Sequence, residues 1–155
     1  MISNTGFSIA QNYARFLFTN RQIAESQSKL VQAKQIARKL FAPTSVEFGF
    51  VLELEADLQM FLGETMMAEE NYNLAFKNFA SLPRANQVSH RVNATIKFLT
   101  ANRPDLARKT LEGIATDYSF LFGLPEKNQV EISSLYSEAL LQLNFTEIAI
   151  NHLKR

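Results

Sequence analysis

The chain has no cysteine. That rules out disulfides and thiolate nucleophiles, and it suits a reducing compartment, so a cytoplasmic setting is expected. Histidine is nearly as scarce. His90 and His152 are the only two; they fall in different expected hairpins and read as surface or packing residues rather than general bases. No uninterrupted apolar stretch reaches the roughly 18 residues of a membrane span, so none is expected. The opening segment MISNTGFSIAQNYARFLF lacks a basic region ahead of a long apolar core and does not read as a secretory signal. HExxH, GxSxG, GxxxxGKS/T and GxGxxG are all missing. Zinc-protease, nucleophile-elbow, phosphate-loop and dinucleotide chemistry therefore lack their mechanical parts. Strand signals are poor as well: period-two alternation is rare and β-branched residues are scattered.

What remains is ordinary globular composition. The 155 residues are 46% apolar and 20% charged, enough for one domain with a real core. The net charge is only +1, but its distribution is patterned. Residues 15–40 carry six bases against Glu25, and residues 47–70 carry seven acids and no base. Residues 71–110 return to net positive with Asp105 the only acid, and residues 111–147 are net negative with Lys127 the only base. Such alternation suits neighbouring helices of opposite sign more than one basic stripe. Arg21, Lys29, Lys34, Arg38 and Lys39 have no aromatic platform beside them, so nucleic acid is not an expected partner.

Helical periodicity is strong. Leu106, Ala107, Thr110, Leu111, Ile114, Ala115 and Tyr118 recur at three- and four-residue steps on one face. Prolines punctuate the runs: Pro43, Pro83 and Pro125 follow long helical stretches, and Pro104 stands where a helix would begin. The pattern predicts eight helices, near 4–18, 21–41, 44–61, 65–81, 85–100, 104–118, 126–142 and 146–154. The apolar run FLFGL, Phe120 to Leu124, is expected to plug a gap between hairpins, extending the preceding helix to about Leu121.

A repeat underlies these helices. In LGETMMA, Gly63 precedes Ala68; in ANRPDLA, Asn102 precedes Ala107; in LNFTEIA, Asn144 precedes Ala149. A weaker copy, TNRQIA, places Asn20 before Ala24. Gly and Asn tolerate the left-handed conformation that closes a helix, and the alanine lets another backbone approach. The four alanines, 24, 68, 107 and 149, lie 44, 39 and 42 residues apart, which predicts tandem helical hairpins. A plain helical bundle is the competing expectation.

The segment from Leu52 to Ala75 resembles a tetratricopeptide repeat (TPR), with Ala56 in its first helix, Gly63 in the turn and Ala68, Tyr72 and Ala75 along its second. The resemblance implies an all-α fold, an α-solenoid of about four antiparallel hairpins in a TPR-like superhelix. The hairpins fall at about 4–41, 44–82, 85–121 and 126–154, in a single domain that is expected to continue into a longer chain. It also implies a non-catalytic interaction module, an adaptor or scaffold, that holds a peptide or partner helix on a concave face built from first helices. By that mapping the face comprises Tyr13, Phe16, Phe50, Glu53, Asp57, Met60, Phe61, Ile96, Leu99, Glu131 and Glu138. The mixture is apolar with an acidic rim, so a basic or amphipathic partner is expected. Glu53 and Asp57 lie at i, i+4, and without a histidine or third acid they read as a solvated acidic face. No enzyme activity, cofactor or metal is expected. The alternative function is a regulatory or sensor domain gating an attached effector. The last helix carries Ile148, Ala149, Ile150 and Leu153 around its circumference, which predicts continuation of the chain or self-association there.

Overall fold

The structure, a computed structural model, describes residues 4–154. Among them the helices are α1 (Asn4–Thr19), α2 (Ile23–Leu40), α3 (Val46–Phe61), α4 (Thr65–Asn78), α5 (Arg84–Thr100), α6 (Pro104–Ala115), α7 (Tyr118–Phe122), α8 (Glu126–Gln142) and α9 (Thr146–Leu153). No described residue is in a strand. The chain divides into two compact units, Met1–Ser81 and Leu82–Arg155. The first contains the hairpins α1–α2 and α3–α4, with α2 packed on α3; the second contains α5–α6 and α8–α9, with α6 packed on α8.

All four hairpins turn in the same way. One residue takes positive φ in each: Arg21 (59°), Gly63 (80°), Asn102 (56°) and Asn144 (64°). The next residue's N–H then reaches back to a carbonyl of the first helix. These bonds run from Gln22 to Leu17, Glu64 to Gln59, Arg103 to Phe98 and Phe145 to Leu140, each at 2.8 Å. This ring satisfies carbonyls that a helix end otherwise leaves open. The outcome corrects the first copy of the repeat. Its turn residue is Arg21, not Asn20, and its small contact residue is the buried Ser26, not the exposed Ala24. Asn20 bonds locally instead, its Nδ2 donating to the Phe16 carbonyl at 2.8 Å.

With the register corrected, Ser26, Ala68, Ala107 and Ala149 are equivalent and buried. Each also has a small or short partner twelve residues upstream (14/26, 56/68, 95/107, 137/149), namely Ala14, Ala56, Thr95 and Ser137, all buried. The Ser26 hydroxyl donates to the Ala14 carbonyl at 2.8 Å, so side chain meets backbone directly at the α1–α2 crossing. Ala68 is 0% exposed. Ala68→Leu should destabilise the protein by about 1–3 kcal/mol through overpacking. A thermal melt shows this as a lowered midpoint; an unchanged melt would mean the crossing is looser than described.

The helix starts follow local chemistry. The Ser45 hydroxyl accepts from the Phe48 N–H at 3.2 Å and caps α3. Pro104 opens α6, where a missing N–H costs nothing. At α5 and α8 one device recurs: a proline precedes the helix, and a glutamine four residues on donates back to the carbonyl before the proline. Gln87 Nε2 reaches the Leu82 oxygen and Gln129 Nε2 the Leu124 oxygen, both at 2.7 Å.

Two expected boundaries differ. Helix α4 gives way to a 3-10 turn at Phe79–Ser81. Helix α6 stops at Ala115 instead of extending toward Leu121, because the Asp117 carboxylate accepts from the Phe120 N–H at 3.1 Å and caps the separate helix α7. Leu121 and Leu124 join the core formed by Val88, Leu111 and Ile132, while Phe122 faces solvent.

Candidate functional site: grooves between first helices

Each unit has an open cavity between its two first helices. In the Met1–Ser81 unit, α1 presents Phe7, Ser8 and Gln11, and α3 presents Glu47 and Phe50 one turn apart, with Phe41 closing one side. This groove holds about 350 Å³. Its aromatic wall is fixed by packing: Phe7 meets Phe41 edge-on at 4.9 Å between ring centroids, and Phe50 leans on Phe79 at 5.0 Å. In the Leu82–Arg155 unit, α5 presents Ile96, Leu99 and Thr100, and α8 presents Leu135 and Glu138, around about 240 Å³. Ser8, Gln11 and Glu47 make the first groove half polar, Thr100 and Glu138 are the polar residues of the second, and each groove has a single carboxylate.

Of the residues expected on the binding face, the structure brings Phe50 to the first groove and Ile96, Leu99 and Glu138 to the second. The others lie elsewhere. Glu53 is 8% exposed, so the solvated acidic face is corrected. Its neighbour Asp57 is half-buried and accepts a 2.5 Å hydrogen bond from the Tyr72 hydroxyl on α4. The i, i+4 pair thus turns into the α3–α4 hairpin. Burial, then the Asp57 carboxylate, its hydrogen bond and Glu53, raise the Tyr72 phenol far above its ordinary range. Beside it, Asn71 Nδ2 donates to the Gln59 amide oxygen at 2.9 Å.

Met60 is half-buried, and the exposed Phe61 meets Phe18 edge-on at 6.0 Å. Tyr13 and Phe16 stack on each other at 6.5 Å, away from the α1 residues that line the first groove. Glu131 is half-buried on α8 and lines neither groove.

Sequence reasoning missed Phe7, Ser8, Gln11, Phe41, Glu47, Thr100 and Leu135. The α1 residues had a usable signal. Counting back from Arg21 and Ser26 rather than from Asn20 and Ala24 shifts the repeat by one or two residues. A shift of one residue rotates a helix face by about 100°.

Neither histidine is placed in a groove. His152 stands edge-on to Tyr136 at 5.1 Å, and burial lowers its pKa. Among the described residues no group of three or more His, Asp or Glu could hold a metal ion. No helix among them is long and apolar enough to cross a membrane.

Tandem antiparallel hairpins with one recurrent turn and one recurrent small-residue crossing define an all-α helical-repeat fold of the TPR-like, α-solenoid class. The same fold appears in the crystal structure of a Podosopora anserina protein described as a kinesin light chain with nearly identical TPR-like repeats. The match has a TM-score of 0.79 at 14% identity and covers 99% of this chain and 74% of that one. A single-substitution variant of that protein matches equally, again with TM-score 0.79 and 14% identity. No protein-family model matches this chain, and no curated protein matches it in sequence.

Proposed function

We propose that the chain is a non-catalytic protein-interaction module that holds a basic or amphipathic peptide segment against its first helices. One observation carries this reading. In each unit the cavity between successive first helices sets apolar side chains (Phe7, Phe41 and Phe50 in one, Ile96, Leu99 and Leu135 in the other) beside a single carboxylate, Glu47 in one and Glu138 in the other. An apolar side chain of a bound segment fills such a groove, and a neighbouring lysine or arginine meets the carboxylate at its edge. Each unit carries one such groove between two first helices, a surface that suits an extended or helical segment.

The test is titration of a lysine-containing amphipathic peptide, with a glutamate-containing counterpart as control. The lysine peptide should bind more tightly, and added salt should weaken it, because exposed charges are screened over about 10 Å at 0.1 M. The double variant Glu47→Lys/Glu138→Lys should weaken it by roughly tenfold, about 1.4 kcal/mol. Equal or tighter binding of the acidic peptide would refute the charge preference. Binding that ignores both reversals would remove these grooves as the site.

A further inference from the structure

Helix α1 has an apolar stripe that its own unit does not cover. Ile9, Tyr13 and Phe16 are 64%, 45% and 58% exposed, and their i, i+4, i+7 spacing places them on one face. The neighbour α3 lies on another side of the α1–α2 hairpin, where Phe18 meets Phe61 and Lys34 pairs with Glu55 at 2.5 Å. At about 100° per residue, the stripe is turned roughly 140–200° from Phe18. Cationic side chains accompany it: Lys29 Nζ lies 5.6 Å from the Tyr13 ring centroid, and Arg15 is exposed beside Phe16.

A surface of matching character lies in the Leu82–Arg155 unit. A cavity of about 270 Å³ opens among α7, α8 and α9, lined by Phe122, Glu126, Val130, Ser134, His152 and Leu153 among others. Phe122, Val130 and Leu153 are 65%, 59% and 55% exposed. Glu126 is the only charged residue of the lining. The His152 Nε2 atom is buried and has no hydrogen-bond partner.

We propose that this cavity receives the α1 stripe of a second copy of the chain, so that copies associate head to tail. The stripe rises about 10 Å along α1, the distance from Glu126 to about Ser133 along α8. Its three large side chains pack against the exposed Phe122, Val130 and Leu153 of this trough in the helix-in-groove manner. Charge selects this occupant over an apolar helix in general. Lys29 and Arg15 flank the stripe, Glu126 stands in the trough, and α8 as a whole carries three glutamates against Lys127. The two faces are different surfaces, so the contact is heterologous and each copy can engage two others.

Sedimentation over a concentration series tests this. The average mass should rise with concentration and fall back in high salt. Phe16→Glu and Val130→Glu should each leave a monomer. An equimolar mixture of the two variants should restore association but stop at the dimer, because one variant keeps an intact trough and the other an intact stripe. Both positions are exposed, and circular dichroism confirms folding; Ile9→Lys and Phe122→Lys serve in their place if either variant unfolds. A chain that stays monomeric throughout overturns the proposal. So does association that survives Phe16→Glu, or a mixture that remains monomeric, which would mean that both variants damage one self-complementary surface.

Discussion

Truncating Ile132 to alanine should destabilise the protein by about 2–5 kcal/mol, the range for deleting a large aliphatic side chain from a packed core. Ile132 is fully buried on α8, where it joins Val88 and Val92 of α5, Leu111 of α6, and Leu121 and Leu124 at the α7 segment. The cluster draws on α5, α6, α7, α8 and α9, so a void left at Ile132 is shared among several elements. Against a typical total stability of roughly 5–15 kcal/mol, the loss is a large fraction. Equilibrium urea unfolding measures it. A change below about 1 kcal/mol would show that the α5–α6–α8 core relaxes far more easily than its burial implies.

Tyr72→Phe should cost about 1.5–3 kcal/mol at neutral pH, the value of a hydrogen bond to a charged group. The ring keeps its place against Phe76, with centroids 6.0 Å apart, but the 2.5 Å bond to Asp57 is lost. The cost should also depend on pH, in one direction. The folded phenol is held well above its ordinary range by burial and by Asp57, whereas the unfolded one ionises near pH 10. Below pH 10 both states keep the proton and the contribution of Tyr72 is fully present. Above it the unfolded state releases the proton first, so the wild type loses about 1.4 kcal/mol per pH unit from this group while the phenylalanine variant loses nothing there. The difference between the two proteins should therefore narrow as pH rises from 10. Unfolding curves for both at pH 7, 10 and 11 decide it; a constant difference would show that the phenol does not titrate as described.

Legibility in the sequence followed the kind of interaction involved. The hairpins at Gly63/Ala68, Asn102/Ala107 and Asn144/Ala149 were readable, because each uses a residue that favours the left-handed turn and an alanine at the crossing. The first hairpin was misread by one residue at the turn and two at the crossing. Arginine has no preference for positive φ, and Asn20 next to it does. Helix α7 was hidden because its start depends on one capping bond from Asp117 within an otherwise helical run. Glu53 and Asp57 were correctly placed on one helix face, but that face turns to Tyr72, fifteen residues away from Asp57. Periodicity reports which residues share a face. It does not report what the face meets, as the burial of Glu53 and the Asp57–Tyr72 bond show.

The four closing turns bear on how such a chain changes over time. Arginine, glycine and asparagine differ in size, charge and polarity, yet Arg21, Gly63, Asn102 and Asn144 each sit before the same 2.8 Å backbone bond. The joint is made of main chain, so mutation can replace its side chain without unmaking it. The crossing position five residues on must also be small, a condition that serine meets at Ser26 as alanine does at Ala68. At 14% identity, what this chain shares with the Podosopora anserina structure is geometry alone.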